Sequence, residues 1–99
     1  MGKRCYSEYA DHCWRFYART PVFVASKAEE IDRLNWNACD AVYATLNSRE
    51  KDTVLSVFRS NAKMKDAVSW TARMLKMSEG SVWRIIAKAE DELAERRCL

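Results

Sequence analysis

Residues 78–97, SEGSVWRIIAKAEDELAERR, begin with a serine typical of a helix N-cap and carry Trp83 and Arg84 in the turns that follow. The first turn of a helix is well placed to meet a partner, because its backbone N–H groups have no partner within the helix. These two side chains could be packed inside the protein, contact DNA or bind another protein. The other residues of the chain are needed to distinguish these three roles.

Residues able to catalyse a reaction or hold a metal are scarce. His12 is the only histidine, and on a helix it would point about 100° away from Cys13, so the two do not make a catalytic dyad. The sequence has no glycine-rich phosphate loop and no Cys-x-x-Cys pair. We therefore expect no enzyme activity, no metal site and no cofactor. Cysteines 5, 13, 39 and 98 are expected to be reduced thiols, with Cys13 and Cys39 at core positions.

Length and composition indicate one small helical domain. The 99 residues are 48% hydrophobic and include two glycines and one proline, which favours long helices joined by short connections. The net charge is +3, and the surplus lies in residues 58–99, which hold nine Lys/Arg against six Asp/Glu. Such a surplus permits a polyanionic partner without requiring one. No signal peptide opens the chain and no apolar run could span a membrane, so we expect a cytoplasmic location.

Apolar spacing and capping signals predict five helices and an all-α fold. The first helix covers about residues 7–19, and the second opens with a capping box of Ser26 and Glu29, after an extended connector at 22–25. Two apolar stripes predict that this second helix is the central one, buried on more than half its circumference. The first stripe is Ile31, Leu34, Ala38 and Val42; beside it lie Trp36, Cys39, Tyr43 and Leu46.

Three more helices follow in residues 47–97. Asn47 and Glu50 form a second capping box, and a fourth helix covers about residues 65–76. After Met77, Ser78 caps the fifth helix. The expected inward positions of these helices are Val54, Leu55, Val57 and Phe58; Val68, Thr71, Ala72 and Leu75; and Val82, Ile85, Ala89 and Leu93.

The short connection between the fourth and fifth helices is typical of a helix-turn-helix. Residues 46–99 moreover resemble region four of the sigma-70 family of RNA polymerase subunits, on the pattern Leu46, Arg49, Glu50, Val54, Ala72, Ser78, Val82, Ile85, Ala89 and Leu93. Lys76 stands where that family often has a turn glycine, and Thr71 replaces its usual isoleucine. Gly80 stands in the first turn of the fifth helix, where the family pattern favours a long contact side chain. Residues 1–45 do not resemble the family's promoter-melting region, so they are interpreted as an N-terminal helical extension of a single domain.

The resemblance implies that α-helical side chains following Ser78 meet DNA. Ser81, Trp83 and Arg84, with Glu79, would point towards base edges, and Arg84 could bind guanine with two hydrogen bonds. The side chains expected to bind phosphates are Arg49, Arg73, Lys76 and Lys88, helped by the helix N-terminus at Ser78.

Each of these roles has an alternative. Lys88 could instead pair with Glu92 on a solvated face, and Trp83 could be packed or could anchor a protein partner. Glu79 suits phosphates badly, and the acidic residues at 90–92 and 95 indicate that the far end of the helix is not on DNA. The aromatic residues of the N-terminal half would cover the helix-turn-helix or form a dimer or partner interface: Tyr6, Tyr9, Trp14, Phe16, Tyr17, Phe23 and Trp36.

The sequence therefore predicts a small transcriptional regulator that binds duplex DNA, as a monomer or a homodimer. Free-standing proteins of this pattern resemble products of phages and mobile elements. The alternative is a protein-binding inhibitor of RNA polymerase or of a host defence nuclease, similar to an anti-CRISPR protein, that uses the helices as a scaffold and does not read DNA.

Overall fold

The computed structural model describes residues 2–20 and 30–97, with side chains from residue 8 onwards, and its fold is all-α, as predicted. The predicted connector at 22–25 and the Ser26–Glu29 capping box lie outside these residues. Five helices make up the described part of the chain: α1 (Gly2–Arg19), α2 (Glu30–Ala44), α3 (Ser48–Arg59), α4 (Met64–Leu75) and α5 (Glu79–Arg97). In residues 2–20 and 30–97, no helix combines the length and the apolar character needed to cross a membrane.

Local capping signals set the start of α3 as the sequence predicts. The Asn47 side chain accepts a hydrogen bond from the backbone N–H of Glu50 at 2.8 Å, and the Glu50 carboxylate accepts one from the backbone N–H of Asn47 at 3.0 Å. This reciprocal pair satisfies two N–H groups that the helix itself cannot satisfy. Helix α1 begins five residues earlier than predicted, at Gly2, and α4 begins one residue earlier, at Met64.

The core is built where α1, α3 and α5 meet, and Trp14 lies at its centre. The Trp14 ring is fully buried, stacks on Phe58 with centroids 5.9 Å apart, and meets the ring of Tyr17 edge-on at 5.7 Å. Its indole N–H donates to the carbonyl oxygen of Ala89 at 3.2 Å. Trp14 on α1 therefore packs against α3 and fixes α5 by a hydrogen bond, so the N-terminal extension positions the fifth helix.

The other N-terminal aromatic residues extend this core. The Tyr17 ring lies 5.1 Å from that of Trp36 and 5.7 Å from that of Tyr43, and its hydroxyl donates to Asp40 at 2.7 Å. Tyr9 and Trp36 are half-buried against the core. Of the aromatic side chains of α1, Trp14 thus reaches α5, whereas Tyr17 joins α1 to α2. The side chains of Tyr6 and Phe23 are outside the described set.

The predicted burial of α2 is confirmed at Cys39 and Val42 and wrong at Ile31 and Leu34. Ile31 and Leu34, expected in the core, are 44% and 46% exposed, whereas Asn35, Cys39 and Val42 are buried. Helix α2 packs on α1 and α5 at the side of the domain, and it is not the central helix. In the first half of α2 the buried position is Asn35 in place of Leu34, and this places a polar residue inside.

Asn35 is buried because both ends of its amide have partners. Its Nδ2 donates to the hydroxyl of Tyr9 at 2.8 Å, and its Oδ1 accepts from Nε of Arg97 at 2.7 Å. A buried amide whose donor and acceptor are both paired loses little free energy on leaving water. The amide joins α1, α2 and the last turn of α5.

Candidate functional site

Three residues connect α4 to α5, and hydrogen bonds define each of them. Lys76 adopts the left-handed conformation (φ 55°, ψ 49°), and its backbone N–H points to the carbonyl oxygens of Ala72 and Arg73. The N–H of Met77 donates to the carbonyl oxygen of Ala72 at 2.8 Å. Ser78 then caps α5, since its hydroxyl oxygen accepts from the N–H of Ser81 at 3.1 Å. Lys76 thus adopts the backbone geometry that a turn glycine would provide.

Replacing Lys76 by glycine is expected to stabilise the protein by about 0.5 to 1 kcal/mol, because a residue with a Cβ atom is strained at positive φ. Lys76→Ala keeps the strain while removing the charge, so it is the matched control and should change the free energy of unfolding little. Urea unfolding followed by circular dichroism measures both. Equal effects of the two substitutions would contradict the strain explanation.

Thr71, which departs from the family pattern, is buried and its hydroxyl lies 2.7 Å from that of Ser56. The departure is therefore matched by a polar partner on α3, and the hydrogen bond ties α3 to α4. Thr71 and the other buried residues of α4, which are Ala67, Val68 and Ala72, pack α4 against α3.

The predicted base-contacting residues lie on two sides of α5. Arg84 is exposed and points away from the buried residues Val82 and Ala89, which are about 160° and 140° from it around the helix. Ser81 and Lys88 lie on the Arg84 side, and the three line one shallow groove with Glu50 and Ile85. We call this the Arg84 face. Glu79 is also exposed, in the first turn.

Lys88 has an acidic partner that the sequence analysis missed. Its Nζ lies 3.1 Å from Oε2 of Glu50 on α3, not beside the predicted partner Glu92. The pKa of Glu50 is lowered, first by the hydrogen bond from the backbone N–H of Asn47 and then by Lys88. A phosphate that binds Lys88 would have to share it with Glu50.

The other predicted phosphate-binding residues surround the turn. Arg73 in the last turn of α4 and Lys76 at its cap are exposed. Arg49, at the start of α3, donates to the carbonyl oxygen of Leu75 at 3.2 Å and remains exposed. Arg49 therefore caps the C-terminus of α4, where a cation is favourable. The cationic side chains of Arg49, Arg73 and Lys76 all lie near the turn between α4 and α5.

Trp83 lies on the other side of α5, about 100° from Arg84 around the helix. It is 42% exposed, so it is neither packed in the core nor fully in solvent. It lines a groove of about 450 Å³ with Met64, Ile86, Ala87 and the carboxylates Glu8, Asp11 and Glu90. We call this the Trp83 groove. Sequence patterns do not reveal this groove, because its carboxylates come from α1 and α5, near opposite ends of the chain.

The two described cysteines are buried free thiols, as predicted. Burial raises the pKa of Cys13 to about 11 and also raises that of Cys39. Thiols with raised pKa values are poor nucleophiles and poor metal ligands at neutral pH. Cys5 and Cys98 have no described side chains. Within residues 8–20 and 30–97, no three side chains of histidine, cysteine, aspartate or glutamate are grouped as a metal site.

The resemblance of residues 46–99 to sigma region four rests on the sequence pattern alone, because the comparisons with known proteins found no match. No protein-family model matches the chain. No curated protein matches it either. No solved structure matches the fold.

Proposed function

We propose that this protein binds duplex DNA and regulates transcription, with α5 as its recognition helix. The observation that carries the proposal is the geometry of the turn: three residues join α4 to α5, Ser78 caps α5, and Arg84 is exposed opposite the core. A helix presented in this way can enter the major groove by its N-terminal half. The resemblance to sigma region four points to the same surface.

The exposed side chains support distinct roles at a DNA surface. Arg84 would bind a guanine edge, with Ser81 beside it, while Arg73, Lys76 and Arg49 would hold phosphates near the turn. Lys88 would join them if a phosphate displaced Glu50. One such module buries little DNA surface, so a homodimer on two half-sites would raise the affinity.

Fluorescence anisotropy of a labelled mixed-sequence duplex tests this proposal. Arg84→Glu is expected to weaken binding by at least about fivefold, because it removes a contact and adds repulsion. Arg96→Glu is the matched control: it makes the same charge change on an exposed residue at the other end of α5, and it should weaken binding less. With about three phosphate contacts, affinity should fall about 40-fold between 50 and 200 mM salt.

If Arg84→Glu and Arg96→Glu lost the same affinity for the duplex, the effect would depend only on net charge. That result would contradict a recognition role for α5. Absence of binding at 50 mM salt by the folded protein would refute DNA binding as a whole.

The second candidate function is that of a protein-binding inhibitor without DNA binding, acting on RNA polymerase or on a host defence nuclease. Exposed apolar side chains favour it, since Trp70 and Met74 on α4 are 51% and 60% exposed and Trp83 is half-exposed. The same titration separates the two functions, because an inhibitor of this kind requires no affinity for the duplex.

A further inference from the structure

The Trp83 groove combines an exposed aromatic ring with an excess of negative charge. It is lined by the carboxylates of Glu8 and Asp11 on α1 and of Glu90 on α5. The indole ring of Trp83 and the side chain of Met64 lie beside them. Among the residues whose side chains are described (8–20 and 30–97), no lysine or arginine lines it, although the chain as a whole carries a net charge of +3. Its charge is therefore opposite to that of the Arg84 face on the same helix.

The nearest cation to these carboxylates is already engaged. Arg15 donates from Nε to Oδ2 of Asp11 at 3.0 Å, and from a terminal nitrogen to the carbonyl oxygen of Ser60 at 2.8 Å. The other carboxylate oxygen, Oδ1 of Asp11, is buried, and no donor among the described residues reaches it. A buried carboxylate oxygen without a donor is unfavourable, and a partner's donor would reach this one once the Asp11 side chain turns towards the groove.

The surroundings of Glu90 disfavour its charged form and raise its pKa. Burial, together with Asp11 and Asp91, raises the pKa of Glu90 to about 7, and Arg15 offsets this only in part. Glu8 is a further carboxylate on the same groove. Within the described part of the chain, the charged groups around Glu90 are thus the carboxylates Glu8, Asp11 and Asp91 and the guanidinium of Arg15, which is already paired.

We infer that the Trp83 groove is a binding site for an arginine side chain of a protein partner, whose guanidinium stacks on Trp83 and pairs with Asp11 and Glu90. A guanidinium suits this site better than an ammonium, because it is planar, weakly hydrated, and able to donate to two carboxylates while it lies on an indole. DNA does not suit it, because phosphates would meet carboxylates. The inference holds whether or not the Arg84 face binds DNA.

N-acetyl-arginine amide is a suitable probe, titrated into the ¹⁵N-labelled protein in the absence of DNA. We expect the indole N–H signal of Trp83 and the amide signals of Ile86, Ala87 and Glu90 to shift, with a dissociation constant of about 1 to 10 mM. Binding should be at least about threefold stronger at pH 8 than at pH 6, because Glu90 ionises between them. N-acetyl-citrulline amide, which has the same shape without the charge, should cause no such shifts.

Two variants and a control locate the site. Trp83→Ala should abolish the shifts, and Glu90→Gln should weaken binding at pH 8 at least about threefold. Trp70→Ala removes the exposed tryptophan of α4, which lines a groove of mixed charge with Asp52, Arg59 and Asp66, and it should leave binding unchanged. Equal shifts with citrulline, shifts that persist in Trp83→Ala, or no shifts up to 50 mM probe would overturn the inference. None of these outcomes depends on DNA binding.

Discussion

Trp14→Ala is expected to destabilise the protein by about 3 to 5 kcal/mol, because it opens a large cavity in the core. The substitution removes the contacts of the Trp14 ring with Phe58 and Tyr17, and the hydrogen bond from its indole to Ala89. The midpoint of thermal unfolding should fall by more than about 12 °C, since about 1 kcal/mol shifts a domain of this size by 4 °C or more. Thermal and urea unfolding followed by circular dichroism measure the loss.

Trp70→Ala is the matched control for this prediction. It deletes the same atoms from an exposed site on α4, and it should cost about 1 kcal/mol or less. The destabilisation by Trp14→Phe should lie between those of Trp14→Ala and Trp70→Ala, since phenylalanine keeps a ring but lacks the indole donor. If Trp14→Ala were no more destabilising than Trp70→Ala, the packing of α1 against α5 would be refuted.

Glu90→Gln is expected to stabilise the protein at pH 8 by about 1 to 2 kcal/mol more than at pH 4.5. The folded-state pKa of Glu90 is raised to about 7 by burial and by Asp11 and Asp91, above its ordinary value of 4.5. Between these values the folded state binds the proton and the unfolded state does not, so the wild-type protein loses stability as pH rises towards 7. Glutamine keeps the shape of the Glu90 side chain without ionising. The expected stability difference is smaller than the pKa shift alone would give, because Glu90 is partly exposed to solvent.

Urea unfolding of both proteins at pH 4.5 and pH 8 tests this, because the difference between them cancels the titration of other groups. Glu95→Gln, an exposed carboxyl on the same helix, is the control and should change stability little at either pH. A Glu90→Gln effect of the same size at both pH values would contradict the assigned environment of Glu90.

The parts of the fold that the sequence predicts well depend on residues close together in the chain. The Asn47–Glu50 capping box and the Ser78 cap each involve residues within four positions, and both are confirmed. The buried face of α5 is largely as predicted, except that Ile86 is fully buried and Ile85 only partly. Apolar spacing sets such a face to within one position.

The errors concern contacts between distant residues. Asn35 is buried because Tyr9 and Arg97 pair with its amide, and these partners lie 26 and 62 residues away in the chain. Apolar spacing alone therefore favoured Ile31 and Leu34. For the same reason the acidic alternative considered for Lys88 was Glu92 on its own helix, whereas the observed partner is Glu50, 38 residues earlier. The Trp83 groove was unpredictable, because it exists only where α1 packs against α5.

The opposite charges on the two sides of α5 affect how fast a partner is found. The cationic groups on the Arg84 face and the carboxylates of the Trp83 groove, which come from α1 and α5, form a dipole across the domain. The field of a polyanion would exert a torque on this dipole and turn the Arg84 face forward before contact. A larger share of random encounters then begins in a productive orientation, so the association rate can be high even though the net charge is small.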